Sequence, residues 1–221
     1  TVVSLFLPLH RAAFKAPDED LFIVIVSESQ SQSVNFLSRI KYHLDHSDKF
    51  KEVFGDFSHN TARRWTNSDI ILANGTRIIA VGTGQRVRGF IEGDTRPNLI
   101  IVDFESELNA YTAEGRAKNR KWMTEAVIPS LSDDGRIVMI GTVISEDCFL
   151  CWAKESSAWA TLWYSIWDEN EKSIWPQRFP KSRIMGIKEE FQSVGNLNGF
   201  YQEYMNIAQS PDDAPFKPEY I

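Results

Sequence analysis

The sequence predicts an α/β fold built on a mainly parallel sheet, and three observations carry that expectation. Residues 21–26 (LFIVIV) and 99–102 (LIIV) are short uninterrupted apolar runs, the pattern of strands buried on both faces. After the first run, Val34, Leu37, Ile40 and Leu44 recur at three- and four-residue intervals, which predicts a helix through about His46 and gives the strand–helix order of a βαβ unit. Polar residues follow each run: Ser27-Glu28-Ser29 after the first, Asp103 and Glu105 after the second. Open α/β sheets bind their ligands at those carboxyl ends.

The remaining elements follow in order. Residues 2–14 (VVSLFLPLHRAAF) are apolar around most of a helical circumference, which predicts a buried helix kinked at Pro8. Pro17 and the acids Asp18, Glu19 and Asp20 form a loop. Residues 69–72 and 76–81 flank Asn74-Gly75, a strong hairpin signal because both turn residues tolerate positive φ. The hairpin leads into residues 82–89 (GTGQRVRG), a glycine-rich loop with Arg86 and Arg88. It matches neither G-x-x-x-x-G-K-[ST] nor G-x-G-x-x-G, and a plain surface connection explains it equally well.

Residues 114–128 predict a helix with Trp122, Ala126 and Val127 inward, its basic residues forming a solvated face. Asp133-Asp134-Gly135 makes a turn, and residues 136–140 (RIVMI) predict another buried strand ending in Gly141-Thr142. From Ala160 apolar residues alternate, which predicts a strand with Trp163 and Trp167 on one face. Residues 189–194 and 199–208 are helical candidates, and the Pro- and Asp-rich residues 210–221 read as a linker or arm. No internal repeat is present.

At 221 residues, 43% of them hydrophobic and 24% charged, the chain has enough apolar mass for one large domain or for a domain with a small appendage. The net charge of −6 excludes a strongly basic nucleic-acid coat but leaves room for a local groove. Cys148 and Cys151 are spaced C-x-x-C; without a second pair or clustered histidines they are poor zinc ligands. A redox pair fits little better than zinc, and two structural thiols of a reducing compartment are the default. No run of eighteen apolar residues occurs, so no membrane span is expected. The first residues lack the basic flank of a signal peptide and begin already apolar, as a fragment starting inside an element would.

The chemistry concentrates at residues 96–107 (RPNLIIVDFESE). An acid ending a buried strand can hold a divalent ion, usually through water, on a nucleotide's phosphates. A core strand running into a solvated acidic turn accounts for the same residues. Gly141 and Thr142, a small residue and a hydroxyl at the next strand's end, suit contact with a phosphate or its attacking water.

Taken together, five segments resemble the large terminase subunit of tailed double-stranded DNA bacteriophages, the DNA-packaging motor. They are residues 84–89 with their Arg-Gly pair, 96–103 (RPNLIIVD), 138–142 (VMIGT), 175–179 (WPQRF) and 199–206 (GFYQEYMN). Each is loose alone, but their order and spacing cover nearly the whole chain.

The resemblance implies a RecA-like (ASCE) P-loop NTPase: a mainly parallel central sheet with helices on both faces, plus a small C-terminal subdomain. It implies an ATPase core over residues 1–158, a strand and helix region over 159–209 and a linker over 210–221 towards a nuclease domain, which nothing after Tyr201 resembles. The family's P-loop cradles the phosphates and supplies a Ser/Thr to Mg²⁺. No Gly-Lys-[Ser/Thr] occurs here, so the resemblance puts that loop upstream of residue 1, with Thr1 as its final hydroxyl or a neighbour. Asp103 then matches the Walker B acid that holds Mg²⁺.

The family pairs that acid with a second, but position 104 is Phe. The proton-acceptor role would pass to Glu105, on the same side as Asp103 if the strand continues, or to Glu107. A residue absent from the sequence between Asp103 and Phe104 is the other explanation. Arg88 aligns with the family's arginine finger, which acts in a neighbouring subunit's site, and Arg86 is second because the loop register is loose. Gly141 and Thr142 match the motif coupling hydrolysis to movement.

The implied cofactors are ATP and Mg²⁺. The implied partners are double-stranded DNA, the portal protein, the small terminase subunit and further copies in a homo-oligomeric ring (a pentamer) on the capsid, with a monomer in solution also open. The implied location is the cytoplasm of the infected host, transiently at the procapsid portal, with no membrane. Two other classes fit: another RecA-like ATPase such as a helicase core, and a degenerate P-loop module that binds without hydrolysis.

Overall fold

A computed structural model describes residues 2–208. Thr1 and the arm expected over 210–221 lie outside the described residues. The chain divides into two compact units, residues 2–104 with 118–140, and residues 105–117 with 141–208.

The first unit holds a six-stranded mixed sheet: β1 (Phe22–Ser27), β2 (Arg64–Trp65), β3 (Asp69–Ile71), β4 (Arg77–Gly82), β5 (Leu99–Asp103) and β6 (Arg136–Met139). The order is β2-β3-β4-β1-β5-β6, with β4, β1, β5 and β6 mutually parallel and β3 and β2 antiparallel at one edge. This is the expected α/β architecture. The Asn74-Gly75 hairpin joins β3 to β4: Gly75 has φ +84° and Leu72 N–H donates to Thr76 O at 2.9 Å. β1 lies between β4 and β5, and Asn98 fastens the starts of β1 and β5 by accepting Phe22 N–H at 2.9 Å.

Helix α1 (Val2–Ala13) and helix α2 (Gln30–His46) cover one face of this sheet. Leu5, Leu9 and Ala12 of the first and Phe36, Leu37, Ile40 and Leu44 of the second join Ile23, Ile25, Ile78, Ala80, Leu99 and Ile101 in one core. Ser29 caps α2, its hydroxyl accepting Gln32 N–H at 3.3 Å. A short helix α3 (Asp48–Phe54) follows. The alternate residues Val24, Val26, Ile100 and Val102 point the other way and are also buried, as are Met123 and Val127 of the second crossover. Full burial of β1 and β5 on both faces is why their sequences are continuous apolar runs.

Four expectations are corrected. The first helix is not buried all round: Val2, Phe6 and Phe14 are exposed, and only the stripe towards the sheet is covered. The run at 136–140 forms β6, but β6 is the sheet's edge among the described residues and is only half-buried, because apolar character marks a strand without fixing its place. The helix at 114–128 is α5 (Ala113–Trp122) followed by a π-helical segment (Met123–Val127) and a 3₁₀ turn (Ile128–Ser130). Pro129 lacks the N–H that a regular continuation would use.

The fourth correction lies in the second unit. The alternating residues after Ala160 form no strand; one isolated bridge joins Trp167 to Ser173. Their backbone turns to a helix instead, with Ile166 N–H donating to Tyr204 O at 2.7 Å. The second unit contains α4 (Glu107–Ala110), α6 (Phe149–Glu155), α7 (Lys181–Ser193) and α8 (Leu197–Met205). Ile166, Trp167, Ile184 and Phe200 form its core between α7 and α8, so the aromatic residues of 199–206 are structural.

Candidate functional site

Parallel register sets Gly82, Ser27 and Asp103 abreast at the carboxyl ends of β4, β1 and β5. The chain leaves β1 towards β4 on one side, whereas it leaves β5 towards β6 on the other. The strand order therefore reverses between Ser27 and Asp103, the point where an open α/β sheet forms a ligand crevice. Strand alternation points Ser27 and Asp103 to the face covered by α1 and α2, since Ile23, Ile25, Leu99 and Ile101 line it.

Asp103 is half-buried and has no hydrogen-bond or ion-pair partner among the described residues. Burial, with the like charge of Glu28 adding to it, holds its carboxyl above the ordinary carboxylate range. The Ser27 hydroxyl is fully buried and also lacks a partner among the described residues. Buried polar groups are normally satisfied, so these adjacent orphans mark a place built for something else. One or two carboxylates with waters and phosphate oxygens are what Mg²⁺ takes, and Asp103 with Glu28 beside it fits that donor set. No cluster of three or more His, Cys, Asp or Glu exists among the described residues, so an all-protein metal cage is not formed there.

The loop beyond β4 is fixed by amides that the sequence did not advertise. Gln30 donates Nε2–H to Ala80 O and accepts Gly82 N–H on Oε1, both at 3.0 Å, and Gln85 Oε1 shares that N–H. Thr83 donates its N–H (2.9 Å) and hydroxyl (3.0 Å) to Ser27 O. A Cβ at Gly82 would fall 2.6 Å from Gln30 N, so only glycine lets α2 start this close to β4. The signal available in the sequence was the Ser-Glu-Ser-Gln order at the helix start.

Farther along the loop, Val87 is fully buried while Arg86 and Arg88 on either side are exposed, with no ion pair among the described residues. Arg88 borders a cavity of about 220 Å³ with Phe90, Ile91, Arg96 and Pro129. Trp122 supports the loop by donating Nε1–H to Gln85 O at 3.1 Å. Phe104 is fully buried with its ring 5.9 Å from that of Trp122, so this position is committed to the core.

Strand β5 ends at Asp103, so alternation does not carry Glu105 to its side as expected. Within the second unit, Glu105 accepts Phe149 N–H at 2.7 Å and Leu150 N–H at 3.1 Å, one on each oxygen, and so caps α6. Burial pushes its carboxyl up to about 7, the two N–H groups lowering it and Cys148 raising it. Cys148 and Cys151 lie with sulfurs 3.6 Å apart, and the thiol of Cys151 draws the Cys148 thiol down. Glu107 is exposed at the start of α4, where Ser106 N–H donates to Asn109 Oδ1 at 3.0 Å.

Gly141 is exposed and Thr142 half-buried just beyond β6; a Cβ at Gly141 would meet Leu150 Cδ1 at 2.8 Å. Thr1 lies outside the described residues. A larger cavity of about 1020 Å³ opens at the opposite end of the sheet, among Asp20, Thr95, Arg96, Ser132 and Arg136 at the strands' amino ends. Leu7 and Arg11 of α1 also line it, and the orphaned groups are not in it. No family model and no curated protein matches the chain.

Proposed function

We propose that this chain is the ATPase motor domain of a phage terminase large subunit, a RecA-like P-loop NTPase that uses MgATP to drive double-stranded DNA into a capsid. The observation carrying this reading is Asp103: a partnerless, half-buried acid at the strand-order reversal, beside the orphaned Ser27 hydroxyl. Asp103 would hold Mg²⁺ through its carboxylate, and the ion would neutralise charge on the transferring phosphate. The proton acceptor is Glu105, whose carboxyl at about 7 is tuned near neutrality, as an efficient general base requires. Each of its oxygens accepts one N–H and keeps a lone pair. Glu107 is the alternative base.

Arg88, or Arg86, would reach a neighbouring copy from the exposed loop, and Gly141-Thr142 would couple turnover to movement. Thr1 would complete the Mg²⁺ shell. DNA, the portal protein, the small subunit and a ring of copies are the partners, at the procapsid portal in the host cytoplasm.

A second reading, a phosphate-binding module without turnover, is favoured by Phe104 lying in the core and Glu105 serving as a helix cap. Titrating the full-length protein, with the segment upstream of residue 1 in place, with MgATP while following phosphate release separates the two. Binding with turnover that needs Asp103 supports the motor. Binding without turnover supports the module, and no binding overturns both.

A further inference from the structure

We infer that Cys148 and Cys151 form a thiol–disulfide site, closed by small-molecule disulfides and reopened by thiols. It is independent of nucleotide hydrolysis. The spacing places Cys148 at the cap of α6 and Cys151 in its first turn, so both sulfurs lie on one side of the helix start. They are free thiols 3.6 Å apart, and a disulfide needs about 2.05 Å, a closure within the reach of side-chain rotation.

Their exposures differ in a way two inert core thiols would not require. Cys148 is fully buried, whereas Cys151 is half-exposed and its thiol also donates to Ser145 O at 3.6 Å. The half-buried Glu105 carboxylate sits on the N–H groups of Phe149 and Leu150, the two residues that follow Cys148. That cap keeps the first turn of α6 formed while the sulfurs change state. A zinc site lacks its ligands, since no group of three or more His, Cys, Asp or Glu is present among the described residues.

The chemistry balances with a low-molecular-weight disulfide, RSSR, as oxidant. The half-exposed Cys151 sulfur attacks one sulfur of RSSR as its proton passes to the neighbouring Cys148 sulfur, the more readily ionised of the two, forming Cys151–S–S–R and releasing RS⁻. Cys148 then attacks the Cys151 sulfur, its proton leaving with the second RS⁻ as RSH. The two cysteines lose two electrons and become the disulfide; RSSR gains them and becomes two thiols. Reduction is the same exchange reversed.

The test uses the full chain in oxidised/reduced glutathione buffers of graded ratio, followed by acid quench, maleimide alkylation and intact-mass measurement. The expected result is a species lacking both alkyl groups and glutathione, appearing at one midpoint and reversed by excess reduced glutathione. C148S, checked for folding by circular dichroism, should stop at a single glutathione adduct, and C151S, which keeps only the buried Cys148, should stay free of glutathione. A wild-type chain that ends as glutathione adducts, or that stays alkylated on both sulfurs in the most oxidising buffer, overturns the inference. So does a chain that carries stoichiometric zinc and releases it only on denaturation.

Discussion

Gln30 and Gly82 are locked together: the glutamine oxygen accepts the glycine N–H at 3.0 Å, and the glycine lets the helix backbone approach to a distance no Cβ permits. The first turn of α2 is thereby pinned beside the carboxyl end of β4, which keeps the crevice at Ser27 and Asp103 in shape.

Gly82→Ala should cost about 1–3 kcal/mol, because the added carbon meets backbone and not a flexible side chain. Gln30→Ala should cost about 1–2 kcal/mol by leaving the Ala80 carbonyl without its donor. Urea midpoints measure both; a Gly82→Ala protein as stable as wild type would mean that the helix start shifts freely.

Glu105 sets a pH dependence with a definite sign. Its carboxyl is raised from 4.5 to about 7 in the folded protein, so the fold binds that proton more tightly than the unfolded chain does. The stability it contributes is full below 4.5 and is lost as pH rises through about 7. The loss is roughly 2–3 kcal/mol between those limits. Asp103, also raised, acts in the same sense. The lowered Cys148 thiol acts in the opposite sense in both proteins, so it is the advantage of wild type over Glu105→Gln in urea midpoint that should fall as pH rises from 4 to 8. The same slope in both proteins would assign it to other groups.

Asp103→Asn separates function from folding. With no partner to lose among the described residues, the variant should unfold within about 0.5 kcal/mol of wild type, or at higher denaturant. Its MgATP turnover should fall by at least roughly 100-fold, and chelating Mg²⁺ should do the same to wild type. Turnover that survives the substitution would remove Asp103 from the metal role.

The loop residues divide by exposure. Val87→Ala should cost about 1–3 kcal/mol, since the side chain is fully buried, while Arg88→Ala should leave stability within about 0.5 kcal/mol. Arg88→Ala subunits, mixed with subunits that keep the arginine but carry Asp103→Asn, should regain turnover if the guanidinium acts across subunits. Mixtures no more active than either variant alone would return Arg88 to the role of a surface loop residue.

The parallel sheet and the carboxyl-end acids were legible in the sequence because β1 and β5 are buried on both faces, which forces the continuous runs at 22–27 and 99–103. The Asn74-Gly75 turn was legible because its positive φ selects its residues. The fate of residues 163–167 was not legible, since they alternate as a strand would but make only a single bridge, Trp167 to Ser173. The fate of Glu105 was hidden for a similar reason: its partners are the N–H groups of residues more than forty positions away, and backbone donors leave no trace in side-chain spacing. Gln30, the side chain that fixes Gly82, carries neither charge nor periodicity.

Strand β6 has one further consequence. It ends the sheet, among the described residues, with Ile137, Val138 and Met139 half-exposed and without a charge after Arg136. Natural sheets blunt such an edge with lysine, proline or a bulge, because open backbone N–H and C=O groups template the addition of another strand. This edge carries none of those devices between Ile137 and Ile140. The isolated chain should therefore be prone to edge-to-edge aggregation as concentration rises.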